Sequence, residues 1–583
     1  RIWAWEGNTD GRTYVGTDWP GPAMTYMGDT QSGNKIYKWT YTGTLTTPTG
    51  LIFTWNNQGG RVDGSFTNHG YYVMGQLTKV IGAGESSFVP NQHVIYQLDL
   101  YNFTSAGTLA AAQQRLDYLK DLGIDIIWLM PIHPRGVQGR IGSLGSPYAP
   151  RDYYAVNSDF GTIADLKAFV TAAHQRGMQV WLDWVANHTA KDNVWITQHR
   201  EYYNSTLTSP NGYSDVYQLD YSKEATQLAM IEAMQYWIDQ ADIDGYRCDY
   251  ISSNTIPTAF WTRAIKALKE YKPGKTITML GEGDMANSVQ RLLVCGWDYD
   301  YAWGFQSALV NNKTNPAGVL NQCKNLVGDL RFTDMSRMVY LTNHDQNYSS
   351  SMNTQYGNNV YAFTVLTFTL YGMPLLYNGQ ETGYLLTRKL DYFNRTPINW
   401  NTVDSKMVNT VKALTAFKHS CDALIDNGDR ASEVQFLTTG NSNLVAYTRH
   451  HNEQTALVVL NLGTSAVNSI VTGIEPGEWK LAIDVNNIAA GLTATPVTLN
   501  TTQSFSIPAG GYMVYYKGEP AASGIVGDVN GDGELSIGDV TAMIDMLLSD
   551  NGDSAALKRG DVNGDGELSI GDVTALIDIL LRL

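Results

Sequence analysis

The chain has 583 residues, of which 43% are hydrophobic and 16% are charged, and its formal net charge is −16 at pH 7. This length exceeds what one hydrophobic core can organise, so we expect several domains, rich in aromatic rings with 15 Trp and 35 Tyr. The acidic balance argues against binding of nucleic acid, and no apolar run is long enough to cross a bilayer.

Residues 1–80 alternate short apolar runs with turns, as in IWAW and GLIFTWNN, which predicts a small β-sandwich. The runs WAWEG, WPGPAMTYMG and GLIFTWNN resemble starch-binding modules of family 26. Such modules stack aromatic rings on sugar faces, and the resemblance therefore implies Trp3 and Trp19 as glucan-binding residues.

From residue 81 to 430, apolar strands alternate with helical segments, which indicates parallel β/α units. Eight candidate strands predict a (β/α)8 TIM barrel as the catalytic domain, with a short inserted subdomain at about 189–220. The candidate strands are 94–100, 124–130, 178–184, 243–250, 277–283, 297–304, 338–345 and 373–381.

Four of these strands end in clusters of acidic residues or histidine, namely DWVANH (183–188), YRCD (246–249), GEGD (281–284) and NHD (343–345). Catalytic groups of such barrels lie at the carboxyl ends of the strands. In this order, the four motifs resemble those of the α-amylase superfamily, glycoside hydrolase family 13, and the resemblance covers about residues 85–518. It implies a hydrolase that acts on α-glucans with retention of configuration.

Retaining hydrolysis needs one ionised carboxylate as nucleophile and one protonated carboxyl group as general acid/base. Asp249 matches the nucleophile, and Arg247, on the same strand face, is expected to keep it ionised. Glu282 matches the acid/base, with a pKa raised by burial and by neighbouring carboxylates. The resemblance also implies Asp345 as the third catalytic carboxylate. The substrate-binding residues that it implies are Tyr148, His188, Arg247 and His344.

Two departures from the family pattern bear on the substrate and on metal binding. Many α-amylases carry Lys-His shortly after the nucleophile, where this chain reads CDYISSN. Gln218 stands where an aspartate usually binds calcium, and Asn187 alone matches that site, which argues against the usual barrel calcium.

The leading hypothesis for function is an endo-hydrolase of α-1,4-glucosidic bonds in starch-like polysaccharides. One alternative is a neopullulanase-like, debranching or transglycosylating member of the same family, which shares the catalytic residues. A second alternative is a non-catalytic glucan-binding protein, against which the presence of all three carboxylates counts.

Residues 431–518 return to a β pattern, as in NLVAYTRHH and TALVVLNLG, which predicts a second all-β domain. Residues 519–583 carry 13 acidic and 3 basic residues, and GDVNGDGELSIGDVTAMIDMLL (527–548) recurs there almost unchanged at 560–581. Each copy has the ligand spacing of an EF-hand-type calcium loop. The predicted ligands are Asp528, Asn530, Asp532, Glu534, Ser536 and Asp539, then Asp561, Asn563, Asp565, Glu567, Ser569 and Asp572.

Aspartate at the last ligand position and a single helix after each loop resemble dockerin domains. This resemblance implies a small helical domain whose folding is coupled to calcium, and a cohesin-bearing scaffold protein as partner. Starch and such scaffolds are extracellular, so we expect a secreted or cell-surface-attached protein. The chain opens on RIWAWEG without a signal peptide, and we expect any such leader to have been removed.

Overall fold

The structure is a computed structural model of the chain. The residues that it describes are 1–5, 11–29, 35–41, 48, 50–55, 60–66, 70–73, 76–80, 89, 91–283, 292, 294–328, 335–426, 432–485, 495–518, 527–530, 535–549, 559–563 and 568–581. Four of the predicted calcium ligands lie outside these residues, namely Asp532, Glu534, Asp565 and Glu567.

The N-terminal residues form short antiparallel strands around a small core of Ile2, Ala4, Tyr14 and Leu51. One sheet has three strands, and two further pairs form hairpins. The sheet contains Ile2–Trp5, Gly50–Trp55 and Gly60–Ser65, the hairpins are Thr25–Asp29 with Lys35–Lys38 and Gly70–Val73 with Gln76–Val80, and one helix spans Gly11–Val15.

The central part of the chain is a closed barrel of eight parallel strands, which confirms the predicted fold class. Both faces of these strands are buried, because the ring of helices covers the outside and side chains fill the interior. The strands are β1 (Ile95–Leu98), β2 (Ile126–Leu129), β3 (Gln179–Trp184), β4 (Gly245–Cys248), β5 (Thr278–Gly281), β6 (Tyr299–Tyr301), β7 (Ser336–Tyr340) and β8 (Met373–Tyr377).

Helices follow the strands and bury one apolar side against the barrel. The helix after β2, for example, starts at a capping box between Thr162 and Asp165 and buries Leu166, Phe169 and Val170. The helices of the barrel are Leu100–Phe103, Leu109–Gln113, Leu116–Asp121, Ile163–His174, Glu224–Ala241, Thr258–Lys269, Trp303–Asn311, Pro316–Gly328, His344–Ser349, Met352–Tyr356, Val360–Thr369 and Ser405–Ser420. Among the described residues, no helix has both the length and the apolar composition that crossing a bilayer requires.

Strand β7 differs in its bounds from the predicted strand 338–345. It begins two residues earlier and ends at Tyr340, and His344 already opens a helix. The side chain of Asn343 causes this change, because it accepts hydrogen bonds from the main-chain N–H groups of Asp345 and Gln346 and so caps the helix. His344 and Asp345 therefore lie in a helical first turn rather than at a strand end.

The segment after β3 leaves the barrel as a small irregular insertion. Its strands His188–Ala190 and Val216–Gln218 pair antiparallel, and the helix Val194–Gln198 lies between them. Two short 3-10 helices, Arg200–Tyr202 and Pro210–Gly212, complete it.

After the barrel, the chain forms two antiparallel sheets, one of six strands and one of three. The larger contains Glu433–Phe436, Leu444–His451, Gln454–Asn461, Tyr512–Lys517, Gly477–Asp484 and Val497–Leu499; the smaller contains Thr438–Thr439, Val467–Thr472 and Thr502–Ile507. In the C-terminal repeats, the helices Ile537–Ser549 and Ile570–Leu580 each follow one predicted calcium loop. Val540 and Met543 of the first helix pack with Val573 and Leu576 of the second.

Candidate active site

The polar strand ends converge on one rim of the barrel, because all eight strands run parallel. Strands β3 and β4 pair so that Asp183 lies opposite Arg247. Strand β4 also pairs in register with β5, so Asp249 and Glu282, which directly follow these two strands, are neighbours. The sheet register alone thus brings the two predicted catalytic carboxyl groups together.

The fully buried guanidinium of Arg247 contacts three carboxylates. Its Nη1 lies 2.7 Å from Asp183 Oδ1 and 3.2 Å from Asp249 Oδ1, and its Nη2 lies 3.0 Å from Glu282 Oε2. Its Nε donates a hydrogen bond to the hydroxyl of Tyr301 (2.9 Å). Because three acidic groups share one cation, the cluster favours keeping a proton on one of them.

Burial raises the pKa of both predicted catalytic residues, and it raises that of Glu282 further. The pKa of Glu282 rises to about 8, because burial and repulsion from Asp249 and Asp345 outweigh the attraction of Arg247. The pKa of Asp249 rises to about 6, because burial outweighs Arg247 there too. Arg247 therefore does not hold the pKa of Asp249 in its ordinary range, but Asp249 remains the more acidic of the pair. Near neutral pH, the pair carries one proton, which resides mainly on Glu282.

Next to this cluster, Tyr148 and His344 stack with ring centroids 5.3 Å apart. The hydroxyl of Tyr148 lies 2.8 Å from His344 Nε2, and the amide nitrogen of Gln97 donates to His344 Nδ1 (2.7 Å). This bond places the imidazole proton on Nε2, and burial lowers the pKa of His344 to about 4. Asp345, whose side chain is 39% exposed, lies 3.4 Å from the same nitrogen and faces the open cleft.

His188 is buried beside the cleft, and both of its ring nitrogens have partners within the protein. Its Nε2 lies 2.9 Å from the main-chain oxygen of Tyr148, and its Nδ1 lies 3.1 Å from the side-chain nitrogen of Asn187. Burial lowers its pKa to about 4, so the ring is neutral. In this structure His188 positions the segment that carries Tyr148, and its contact with a sugar stays a prediction.

Asp183 belongs to this site although the sequence prediction omitted it. Its Oδ2 accepts hydrogen bonds from Trp128 Nε1 and from the Tyr148 hydroxyl, both at 3.1 Å, and it is fully buried against Arg247. Burial raises its pKa to about 6. Its place as the first residue of DWVANH, at the end of β3, was the signal that could have identified it.

Tyr250 and Tyr392 are two further residues that the sequence did not single out. The main-chain N–H of Tyr250 donates to Glu282 Oε2 (2.7 Å), and its backbone is left-handed with φ 46°. For a bulky residue this conformation costs about 1–3 kcal/mol, and such strain concentrates at functional sites. Tyr392, in the loop after β8, donates to Asp345 Oδ1 (3.4 Å), and no local pattern marks it.

In the N-terminal part of the chain, Trp3 of the first strand and Trp19 of a turn pack edge to face with ring centroids 5.5 Å apart. Trp19 is 39% exposed, whereas Trp3 is half-buried beneath it. A second pair of rings, which the sequence prediction omitted, lies on the hairpin where Tyr26 and Tyr37 are directly opposite across the strands. Both rings are about half exposed, with centroids 5.7 Å apart. Antiparallel register between the two tyrosine-bearing runs is the signal that could have revealed them.

In the described part of the repeats, the last predicted ligand of each loop is buried and accepts hydrogen bonds from main-chain N–H groups. Asp539 is fully buried and accepts hydrogen bonds from the main-chain N–H groups of Asn530 (3.1 Å) and Ser536 (2.8 Å). Asp572 is equally buried and accepts from Asn563 (3.1 Å) and Ser569 (2.8 Å). Carboxylate and hydroxyl oxygens are the kinds of ligand that calcium prefers.

Comparison with protein families identifies two parts of the chain. The model of the alpha amylase catalytic domain matches residues 90–218 and 211–430, which is more than half of the chain. The model of the dockerin type I domain matches residues 526–581.

Individual relatives include a hydrolase and a transferase. Alpha-amylase MalA of Haloarcula japonica is 27% identical over 439 residues, which are 68% of this chain and 62% of that protein. The alpha-1,4-glucan:maltose-1-phosphate maltosyltransferase of Picrophilus torridus is 24% identical over 421 residues, 66% of this chain and 63% of that protein. The chain thus spans less than two thirds of either relative. The solved structure of a maltogenic alpha-amylase from Thermotoga neapolitana is 26% identical, with a TM-score of 0.61, over 73% of this chain and 98% of that one.

Proposed function

This chain belongs to the α-amylase family, and we propose that it is a retaining hydrolase that cleaves internal α-1,4 bonds of starch-like polysaccharides. One observation carries the proposal. The buried guanidinium of Arg247 contacts Asp249 and Glu282, whose pKa values lie far enough apart for the first to be ionised while the second is protonated. Retaining hydrolysis requires these two protonation states.

In the first step, a carboxylate oxygen of Asp249 attacks the anomeric carbon while the glycosidic C–O bond breaks. The leaving oxygen takes the proton of Glu282, so the departing glucan is released as a neutral alcohol. Arg247 stabilises the negative charge that Glu282 acquires, because the two groups are already 3.0 Å apart.

In the second step, the Glu282 carboxylate takes a proton from a water molecule. The resulting nucleophile displaces Asp249 from the anomeric carbon, which restores both carboxyl groups and retains the configuration. We assign Asp345 to stabilise the positive charge of the oxocarbenium-like transition state, because its partly exposed carboxylate lies beside His344 and close enough to Asp249 and Glu282 to raise the pKa of both.

Transglycosylation or cleavage of branched glucans is the second candidate. It is favoured by Tyr250, whose partly exposed ring directly follows Asp249 in CDYISSN. An aromatic ring beside the leaving-group side offers a stacking surface to an acceptor sugar, which then replaces water in the second step.

The test is product analysis with the full chain on amylose, pullulan, cyclodextrin and maltotriose, with the anomeric form of the first products followed by proton NMR. We expect rapid shortening of amylose and α-anomers as the first products. β-Anomers at early times would overturn the retaining mechanism. Products longer than a maltotriose donor would instead support transglycosylation, and cleavage of pullulan would support the neopullulanase-like alternative.

We further propose that the chain is divided into a starch-binding module (1–80), the catalytic barrel (81–430), a β domain (431–518) and a dockerin (519–583). The exposed rings of the first part and the dockerin match of the last support this division. In this proposal the dockerin binds calcium through its two loops and attaches the enzyme to a cohesin-bearing scaffold outside the cell. Secretion or attachment to the cell surface follows from that partner.

A further inference from the structure

The inserted segment meets the barrel at a buried side chain, that of Gln218, which is 8% exposed. Gln218 ends the strand Val216–Gln218, which pairs with His188–Ala190 directly after Asn187. The resemblance to α-amylases implies a calcium ion at this place, held in part by Asn187 and by an aspartate at the position of Gln218.

Four oxygen atoms surround the amide nitrogen of Gln218. They are the main-chain oxygen of Asn187 at 2.5 Å, the side-chain oxygen of Asn187 at 3.1 Å, the Thr255 hydroxyl at 3.0 Å and the main-chain oxygen of Leu219 at 3.4 Å. Main-chain oxygens only accept hydrogen bonds, so they require the nitrogen of the amide, rather than its oxygen, to face them.

These oxygens come from three separate parts of the chain. Asn187 belongs to the loop after β3, Leu219 to the insertion, and Thr255 to the segment that follows Asp249. The Thr255 hydroxyl donates to the side-chain oxygen of Asn187 (2.8 Å) and lies 2.7 Å from the hydroxyl of Ser253. One amide group therefore connects the loops that form this side of the cleft.

The residues present do not fit a calcium ion. Calcium takes six to eight oxygen ligands, and Gln218 presents a donor nitrogen with a partial positive charge at the centre of the oxygen cluster. We infer that the side-chain amide of Gln218 replaces the ion, so that it holds the insertion, the β3 loop and the segment after Asp249 together without a cation. This inference concerns the barrel itself and does not depend on which α-glucan is cleaved.

The contacts of Gln218 also affect the position of residues that line the cleft. Asn187 directly precedes His188, whose Nε2 lies 2.9 Å from the main-chain oxygen of Tyr148. Gln218 thereby acts as a positioning residue for the Tyr148 side of the cleft, and it needs no calcium to do so.

The test uses Gln218→Glu in the full chain, because this exchange replaces the amide nitrogen by oxygen with little change in shape. In EDTA, a carboxylate would face four oxygens, and we expect the melting temperature to fall by about 5 °C. Calcium should restore it, because a cation can now be bound. Followed by tryptophan fluorescence, the wild-type melting temperature should be the same in EDTA and in calcium.

Unfolding is followed by tryptophan fluorescence, which does not report on unfolding of the dockerin loops themselves, since residues 519–583 contain no Trp and no Tyr. Terbium luminescence excited through Trp and Tyr provides a second readout for the same reason. It should appear with Gln218→Glu and be absent from the wild type at equal terbium concentration.

Gln306→Glu is the matched control, because Gln306 is a buried glutamine whose Nε2 also faces a main-chain oxygen, that of Leu341, and the Tyr356 hydroxyl. It should lose stability that calcium does not restore. The inference is overturned if EDTA lowers the melting temperature of the wild type as followed by tryptophan fluorescence. This measurement needs only the wild type, so it can be made even if Gln218→Glu fails to fold. Equal rescue of both glutamate variants by calcium would overturn it as well.

Discussion

Three carboxylates around the one guanidinium of Arg247 determine how protons are distributed in the cleft. Asp183 is the most buried of them, and its Oδ1 makes the shortest contact with Arg247. Its Oδ2 accepts hydrogen bonds from the side chains of Trp128 and Tyr148. Asp249 and Glu282 are left with the weaker contacts and with access to the cleft. Because Arg247 is shared, its attraction does not offset the effect of burial, which raises the pKa of both Asp249 and Glu282. The pair therefore holds one proton near neutral pH.

From these pKa shifts we expect a bell-shaped dependence of kcat/KM on pH. Activity should fall as the pH rises through about 8, because Glu282 loses the proton that it must donate, and fall below about 6, because Asp249 becomes protonated and cannot attack. The measurement is initial rate on soluble amylose at constant ionic strength. Glu282→Gln should remove the alkaline limb from the residual activity, and a profile that is flat up to pH 9 would contradict the assignment.

At the nucleophile, we expect Asp249→Asn to reduce hydrolysis about 10³-fold or more while retention on starch is unchanged, because the amide cannot form the covalent intermediate. Initial rates and a starch pull-down measure the two effects. Asp121→Asn, at an exposed helix end, is the matched control and should behave as wild type. Near-normal turnover of Asp249→Asn would contradict the assignment of Asp249 as nucleophile, whereas the absence of hydrolysis by the wild type would support the non-catalytic glucan-binding alternative.

At the scale of single elements, the N-terminal hairpin is informative because antiparallel pairing places Tyr26 and Tyr37 on one face. Cross-strand aromatic pairs form flat surfaces of the kind that stack on sugar rings. Trp19, in a turn of the same N-terminal part, presents a further exposed ring, with the guanidinium of Arg61 5.6 Å from its centroid.

We expect Trp19→Ala to weaken retention on insoluble starch with little effect on hydrolysis of soluble oligosaccharides, because the barrel is unchanged. Tyr26→Ala should weaken retention as well. Depletion from a starch suspension measures both effects. Tyr271→Ala removes an exposed ring that precedes β5, on the opposite end of the barrel from the cleft, and serves as control. Unchanged retention of Trp19→Ala and Tyr26→Ala would contradict a starch-binding role.

Strand β7 shows how one side chain changes the boundary of an element. Its polar continuation looks like a strand end in the sequence, but the Asn343 side chain caps a helix that starts at His344. In the sequence, Asn343 followed by polar residues is compatible with a helix N-cap. The apolar residues before it fit both the end of a buried strand and the approach to a helix, so the local pattern did not distinguish the two.

At the scale of the whole molecule, calcium is expected at the C-terminal repeats and not in the barrel. We predict that residues 520–583 gain helical circular dichroism on calcium addition and lose it on chelation, because the loops fold around the ion. Asp539→Asn and Asp572→Asn should each remove about half of the gain, since each affects one of two near-identical loops. A signal that is insensitive to calcium in all three proteins would contradict the dockerin proposal.

The sequence by itself determined the barrel and its catalytic candidates. Parallel strands are buried on both faces and therefore read as apolar runs, and their carboxyl ends must meet at one rim, so the acidic strand ends were expected to lie together. The resemblance of these strand ends to α-amylase motifs then implied Asp249 and Glu282 as the catalytic pair. Tertiary structure alone decided which charges share Arg247, that Gln218 presents nitrogen to four oxygens, and that Tyr392 reaches Asp345. These contacts join residues far apart in the chain, and their energies depend on burial and distance, which no local pattern encodes.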